Sequence, residues 1–460
     1  MQQRERLGSR LGFILLSAGC AIGLGNVWKF PYVTAGYGGA AFILIYLLFL
    51  LILGIPIMTM EFAVGRASRQ SASHAYRALE PKGTKWHCAS ILSVLGNYLL
   101  MMFYTVVSGW MLMYVVKMLK GDFVGLDPAA VANEFGVATG TVPAQLICMV
   151  VMVLLGFTIC AIGVQKGIER ITKVMMSALV IIMICLAIRS ITLPGAQEGV
   201  EYYLKPDFSK IFGDGFAHCN EVIFAAMSQA FFTLSIGIGS MAIFGSYIDR
   251  SRRLTGESIM ITLLDTFVAF TAGLIIIPAC FAYDVDLTAG PPLIFITLPN
   301  VFNAMPGGRF WGTLFFVFML FAALSTLVAV FENIISFAID SLGWSRKKAA
   351  WVNCALISVL SLPALLGFNV LSGIQLLGAG TNILDFEDFI VSNNILPIGS
   401  LIYVLFCTRK LGWGYNNFLE EVNAGKGIRF PKSLRFYCTW ILPLIIIYVL
   451  VMGYIAFFAK

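Results

Sequence analysis

The chain has 460 residues, enough for several soluble domains, yet 59% of them are hydrophobic and only 12% charged, against about a quarter charged in soluble proteins. Apolar runs recur along the whole length, each close to the roughly twenty residues that cross a hydrocarbon core. This composition excludes a string of soluble domains, and without short alternating segments it points to an all-α polytopic membrane fold, because helices satisfy their own backbone in lipid.

Eleven spans are expected, at about 11–34, 39–64, 88–117, 143–163, 170–191, 215–247, 257–283, 309–340, 347–367, 372–406 and 436–458. The basic residues test this count. With the N-terminus inside, the inner segments hold 23 of the 31 Lys and Arg, the cytoplasmic excess of the positive-inside rule. The net charge of +7 is then a matter of topology, and neither a nucleic-acid partner nor an obligate protein partner is called for. The expected place is the cell (inner) membrane, with the N-terminus cytoplasmic and the C-terminus outside. The basic opening MQQRERLGSR reads as a retained start, since no small-residue cleavage site follows its apolar run.

Six of the ten cysteines, including Cys148, Cys160 and Cys407, lie inside apolar runs, and no CxxC or Cys/His ligand spacing occurs. Neither a disulfide framework nor a metal cluster is indicated. The longer outer connections, 118–142, 192–214 and 284–308, hold Pro, Gly and acids; Pro291, Pro292 and Pro299 suggest short capped helices in the last.

Two spans are interrupted by glycine. The first reads Gly19-Cys20-Ala21-Ile22-Gly23-Leu24-Gly25-Asn26, and the sixth Ser235-Ile236-Gly237-Ile238-Gly239-Ser240. Each helix-interior glycine costs about 1 kcal/mol relative to alanine, so three within seven residues at mid-membrane depth suggest an opened helix. The freed N–H and C=O groups must face protein, water or a ligand. A free N-terminus favours an anion such as a carboxylate, and freed carbonyls suit a cation. The two spans hold corresponding places in two five-helix halves, the arrangement that marks a carrier's midplane site. Close helix packing is the alternative for one such span, and two matched spans weigh against it.

At these residues the sequence resembles the neurotransmitter:sodium symporter family, in particular its bacterial amino-acid carriers of the leucine-transporter fold. The resemblance covers nearly the whole chain. It is carried by Arg4-Glu5-Arg6, by the run from Gly19 through Asn26-Val27-Trp28-Lys29-Phe30-Pro31, by Gly54-Ile55-Pro56 with Glu61-Phe62-Ala63-Val64-Gly65-Arg66, and by Phe231-Phe232-Thr233-Leu234-Ser235. It implies a single transmembrane domain over 1–460, built of two inverted repeats at about 11–191 and 215–406 with an extra helix at about 436–458. It also implies a sodium-coupled symporter importing an amino acid by alternating access, with Na+, expected as two ions, and no organic cofactor.

Carried over by position, the resemblance implies a first sodium site from the Ala21 carbonyl, Asn26, Thr233 and Asp265 of span seven, where such carriers have Asn. A second site would use carbonyls of Gly19, Ile22 and Ala322 with hydroxyls of Ser325 and Thr326. The substrate carboxylate would meet the N–H groups of Leu24 and Gly25 and the Tyr104 hydroxyl. Monoamine carriers have an aspartate where this chain has Gly23, which favours a substrate bringing its own carboxylate. The ammonium would bind carbonyls near Ala21, Phe232 and Ser235. Leu100, Tyr104, Phe232, Ile238, Thr326 and Val330 would line the side-chain pocket beside Thr233; none is charged, so an apolar or aromatic side chain is expected.

An acid at membrane depth needs a partner. Asp265 is assigned to the first sodium, where its fixed charge would replace the chloride of animal members and make transport chloride-independent. The resemblance implies that Glu61 bonds the opened backbone of span six. Glu332 has no assignment. Lys29 and Asp388 resemble an outer gate, with Asp385 a competing partner, and Arg4 and Asp340 an inner one; Phe232 and Tyr104 would close a lid beneath the outer pair. The rivals are a proton-coupled or sodium-independent carrier, a receptor that binds without translocating, and an ion channel. No nucleophile–base set or phosphate loop suggests an enzyme.

Overall fold

The computed structural model describes residues 7–213, 215–285 and 292–458. Arg4 and Pro291, both used in the sequence reading, lie outside the described residues.

Among the described residues, nine helices are long and apolar enough to cross a membrane, and a tenth span is a bent pair, Arg10–Ala21 and Gly25–Gly36, whose axes meet at 59°. The expected sixth span is in two pieces, Gly215–Thr233 and Ser240–Ser246. Neither piece reaches that measure. His218, Asn220, Glu221 and Gln229 dilute the first, and the second has only seven residues. The eleven expected segments are therefore present as ten apolar spans and one divided, more polar one.

The largest shift of a boundary is in the tenth span. The tenth span begins at Ile383 and not near 372, because residues 373–380 include Gly378 and Gly380 at φ of 109° and 83°, a left-handed backbone that ends helices. The helix then starts on a reciprocal cap, in which the Asn382 side chain accepts from the Asp385 N–H and the Asp385 side chain accepts from the Asn382 N–H. Such a box satisfies two orphan donors at once. The proline-rich connection does form a short helix, Leu293–Ala304.

The third and eighth spans, Trp86–Lys120 and Gly308–Leu342, have 35 residues each and are the most buried. The broken spans lie against them. Close approach is set by small residues: a Cβ on Gly65 of the second span would lie 1.8 Å from the Ala242 carbonyl oxygen of the sixth. The structure thus clamps the two broken spans between long straight ones, and their gaps face inward.

Candidate functional site: two opened helices around a cavity

The first break forms where the helix ends at Ala21 and Ile22 turns extended, at φ −69° and ψ 102°, while its N–H still donates to the Ala18 carbonyl at 2.6 Å. Asn26 stitches the gap, its Oδ1 accepting from the Gly23 N–H at 3.0 Å. Glycine is required at two positions. A Cβ on Gly23 would stand 2.9 Å from the Tyr104 hydroxyl and 3.0 Å from the Thr326 hydroxyl, and one on Gly25 would stand 2.6 Å from the Phe232 ring.

The second break runs over residues 234–239, with Ser235, Gly237 and Gly239 all at positive φ, 50°, 93° and 89°. Neighbouring spans satisfy several of its bare peptide groups. Buried Glu61 accepts from the Gly237 N–H at 2.9 Å and the Met241 N–H at 3.0 Å. The Ile238 carbonyl accepts from Ser93 Oγ at 2.5 Å and Asn97 Nδ2 at 3.0 Å, and Asn97 is in turn held by Asn333 at 2.9 Å. Sequence reasoning found Glu61 and missed Ser93, Asn97 and Asn333. The available signal was a Ser and an Asn four apart inside an apolar span, on one helix face.

Two oxygen clusters flank the first break. In one, Asn26 Nδ2 donates to Thr233 Oγ1 at 3.0 Å and to Asp265 Oδ1 at 2.8 Å, while Thr233 Oγ1 donates to Asp265 Oδ2 at 2.9 Å. All three side chains are fully buried. In the other, the carbonyls of Gly19, Ile22 and Ala322 converge on two hydroxyls. Ser325 Oγ donates to the Gly19 and Ala322 carbonyls at 3.0 and 2.8 Å, and Thr326 Oγ1 lies 3.3 Å from those of Gly19 and Ile22. The second cluster is all oxygen, as hard cations require; in the first, Thr233 and Asp265 supply oxygens while Asn26 turns its amide nitrogen to them and its oxygen to the Gly23 N–H.

Between them lies a cavity of about 320 Å³, within the range of small-molecule sites. Ala21, Gly23, Leu24, Gly25, Leu100, Tyr104, Phe232, Ser235, Ile238 and Thr326 line it, as the sequence reading expected. Two expected residues do not. Thr233 is turned into the Asp265 cluster behind the wall, and buried Val330, one helical turn beyond Thr326, is absent from the lining. Trp28, Phe103 and Val107 line it and were not anticipated, since residues of this kind in an apolar span read as ordinary packing. The Tyr104 hydroxyl is buried and makes no hydrogen bond among the described residues, so a polar group entering the cavity would satisfy it.

The charged residues that line the cavity are Lys29, Asp385 and Asp388. Lys29 Nζ lies 4.2 Å from the Phe232 ring centroid, so the ring that covers Gly25 also carries the cation. Asp388 accepts from Ser392 at 2.7 Å, while Asp385 is engaged in the helix cap. All three line the cavity, and Asp385 is also engaged in the cap of its own helix. On the opposite side, Asp340 accepts from the Ser71 N–H at 2.8 Å; its expected partner Arg4 is outside the described residues. Glu332, unassigned in the sequence, is buried and ion-paired with Arg346 at 2.7 Å, and it also accepts from the Tyr247 hydroxyl.

The profile of the Sodium:neurotransmitter symporter family matches residues 4–125 and 132–460. An uncharacterized sodium-dependent transporter of Bacillus subtilis, YhdH, is 36% identical over 458 residues, 97% of each chain. Another, from Haemophilus influenzae, is 31% identical over 464 residues, 98% of each chain. Among solved structures, MhsT in complex with L-phenylalanine is 36% identical and superposes with a TM-score of 0.87, covering 98% of this chain and 100% of that one.

Proposed function

Since the chain belongs to the sodium:neurotransmitter symporter family and is a sodium-dependent transporter rather than an enzyme, we propose that its two opened helices hold an amino acid with an apolar or aromatic side chain, imported with two sodium ions. The observation that carries this reading is the cavity of about 320 Å³ bounded by bare helix ends and flanked by two buried oxygen clusters. The substrate carboxylate meets the N–H groups at Leu24 and Gly25 and the unsatisfied Tyr104 hydroxyl. The ammonium sits near the freed carbonyls at Ala21 and Ser235, and the side chain lies among Leu100, Phe103, Val107 and Ile238. That the solved relative holds L-phenylalanine supports an aromatic guest.

One sodium occupies the Asn26, Thr233 and Asp265 cluster with the Ala21 carbonyl, and the other the Gly19, Ile22, Ala322, Ser325 and Thr326 cluster. In each, the ion replaces hydroxyl and amide protons as the partner of oxygens already gathered there. Sodium at the first cluster ties the broken first span to the sixth and seventh. Sodium at the second ties it to the eighth. Binding thereby closes the gap from which the half-helices move, which gives alternating access between an outer gate at Lys29 and Asp388 and an inner one at Asp340. A membrane potential adds about 2.3 kcal/mol per charge per 100 mV to inward movement. Two inverted five-span repeats supply the two faces, with the N-terminus on the cytoplasmic side.

Uptake of labelled amino acids into proteoliposomes, with and without an inward sodium gradient and with a competing panel, tests the proposal. Accumulation of phenylalanine, leucine or tryptophan only under the gradient is expected. Gradient-independent uptake, or competition only by charged amino acids, would sink it.

A further inference from the structure

The tenth and eleventh spans leave the membrane at a corner that the carrier cycle does not use. The tenth ends at Thr408, and Arg409 and Lys410 follow beside Leu411, which is 74% exposed. The Arg409 guanidinium carbon lies 4.1 Å from the ring centroid of Trp440 on the eleventh span, and that ring is itself 53% exposed. Trp86 closes the other side. Its indole N–H donates to the Leu411 carbonyl at 2.7 Å and so brings exposed Lys85 to the same corner. Lys432, Arg435 and Phe436, all exposed, continue along the start of the eleventh span.

None of Lys85, Arg409, Lys410, Lys432 and Arg435 forms an ion pair among the described residues. The acids of the region are Glu80, held by His87 at 2.7 Å, Glu421, held by Arg66 at 2.7 Å and by Arg250, and Glu420, exposed on the helix Tyr415–Val422. A purely aqueous surface would not present Leu411, Phe436 and Trp440 together, and a surface facing only acyl chains would not hold unpaired guanidinium and ammonium groups. Cations interleaved with aromatic and aliphatic side chains at the ends of spans suit the level of lipid headgroups. Stacking on Trp440 fixes the guanidinium plane and leaves its in-plane N–H donors free for a phosphodiester.

We propose that this corner is a binding site for one anionic phospholipid. Its phosphate sits between Arg409, Lys410 and Lys85, and an acyl chain lies along Leu411 and the Trp440 face. The site stands apart from the broken helices, so its test does not depend on which amino acid is carried.

The experiment reconstitutes the full chain in phosphatidylcholine vesicles carrying brominated phosphatidylglycerol or brominated phosphatidylcholine. Quenching of Trp440 is taken as the difference from Trp440→Phe, which keeps a ring beneath Arg409. Brominated phosphatidylglycerol should quench at a several-fold lower mole fraction. That preference should fall about fivefold for each charge removed in Arg409→Gln and Lys410→Gln, with sodium-driven uptake reporting that the variants fold. Equal quenching by the two lipids, or a preference that both substitutions leave intact, overturns the proposal, as does displacement by millimolar inorganic phosphate. If the variants do not fold, the unaltered chain decides: a preference erased by high salt supports the site, and a salt-insensitive one overturns it.

Discussion

Asp265 accepts from both Asn26 and Thr233 through its two carboxyl oxygens, so an acid stands where the first sodium is proposed, and a bound cation would favour its charged form. Two unit charges about 4 Å apart attract by roughly 4 kcal/mol at an effective dielectric of 20, enough to make a mobile anion unnecessary. Uptake should accordingly be unchanged when chloride is exchanged for gluconate at constant sodium; a large loss would remove Asp265 from this role. The hydroxyls of Ser325 and Thr326 supply a second residue-level test. Each is hydrogen-bonded to carbonyls of the broken first span, so Ser325→Ala with Thr326→Val leaves the Gly19 and Ile22 oxygens short of partners. The half-saturating sodium concentration should rise about tenfold or more, the equivalent of one or two hydrogen bonds at about 1 kcal/mol each. A sodium dependence identical to that of the unaltered chain would refute the second site.

At the scale of elements, the broken sixth span stands because other spans satisfy the backbone it gives up. Glu61 of the second span takes two of its N–H groups, and Ser93 and Asn97 of the third take the Ile238 carbonyl. Glu61→Gln removes the charge and aims one amide N–H₂ at N–H groups that need an acceptor. Loss of one charged hydrogen bond costs about 1.5–3 kcal/mol, so the variant should unfold in detergent at a lower temperature and also lose transport. Unaltered thermal unfolding would show that the opened strand is held by something else. Ser93 and Asn97 lie four apart on one helix face, yet a Ser or Asn in an apolar span more often bonds back to its own helix, so their spacing does not by itself point to the sixth span. Asn97 does this as well, donating to the Ser93 carbonyl at 2.6 Å. Only the folded chain shows that the same amide also reaches the sixth span.

For the whole molecule, the basic residues that cluster on alternate connections predict which face is cytoplasmic. Cys88, exposed on the short helical turn Trp86–Ala89 that opens the third span, gives a direct reading. A membrane-impermeant maleimide should label it in inverted vesicles and leave it unmodified in intact cells. Labelling of Cys88 in intact cells would reverse the orientation.

What the sequence settled by itself follows from local rules that need no partner. Apolar length gives the spans, and the glycines of 19–25 and 235–239 mark where helix is least stable, so the class of fold and the position of the two breaks were legible. The oxygens of the second cluster were likewise named in advance, on a resemblance whose motifs lie close together in the chain. The tertiary structure alone decided where Glu332 and Asp385 spend their charge, one on Arg346 and the other on the Asn382 cap. It also turned Thr233 away from the cavity and brought Trp28, Phe103 and Val107 to its wall. The physical reason is common to all of these. Which way a side chain faces, and what it finds there, depends on how the chain packs even where the partners are near in sequence, as Glu332 and Arg346 are, and within an apolar helix the sequence carries no periodic signal that separates a cavity wall from a packed core.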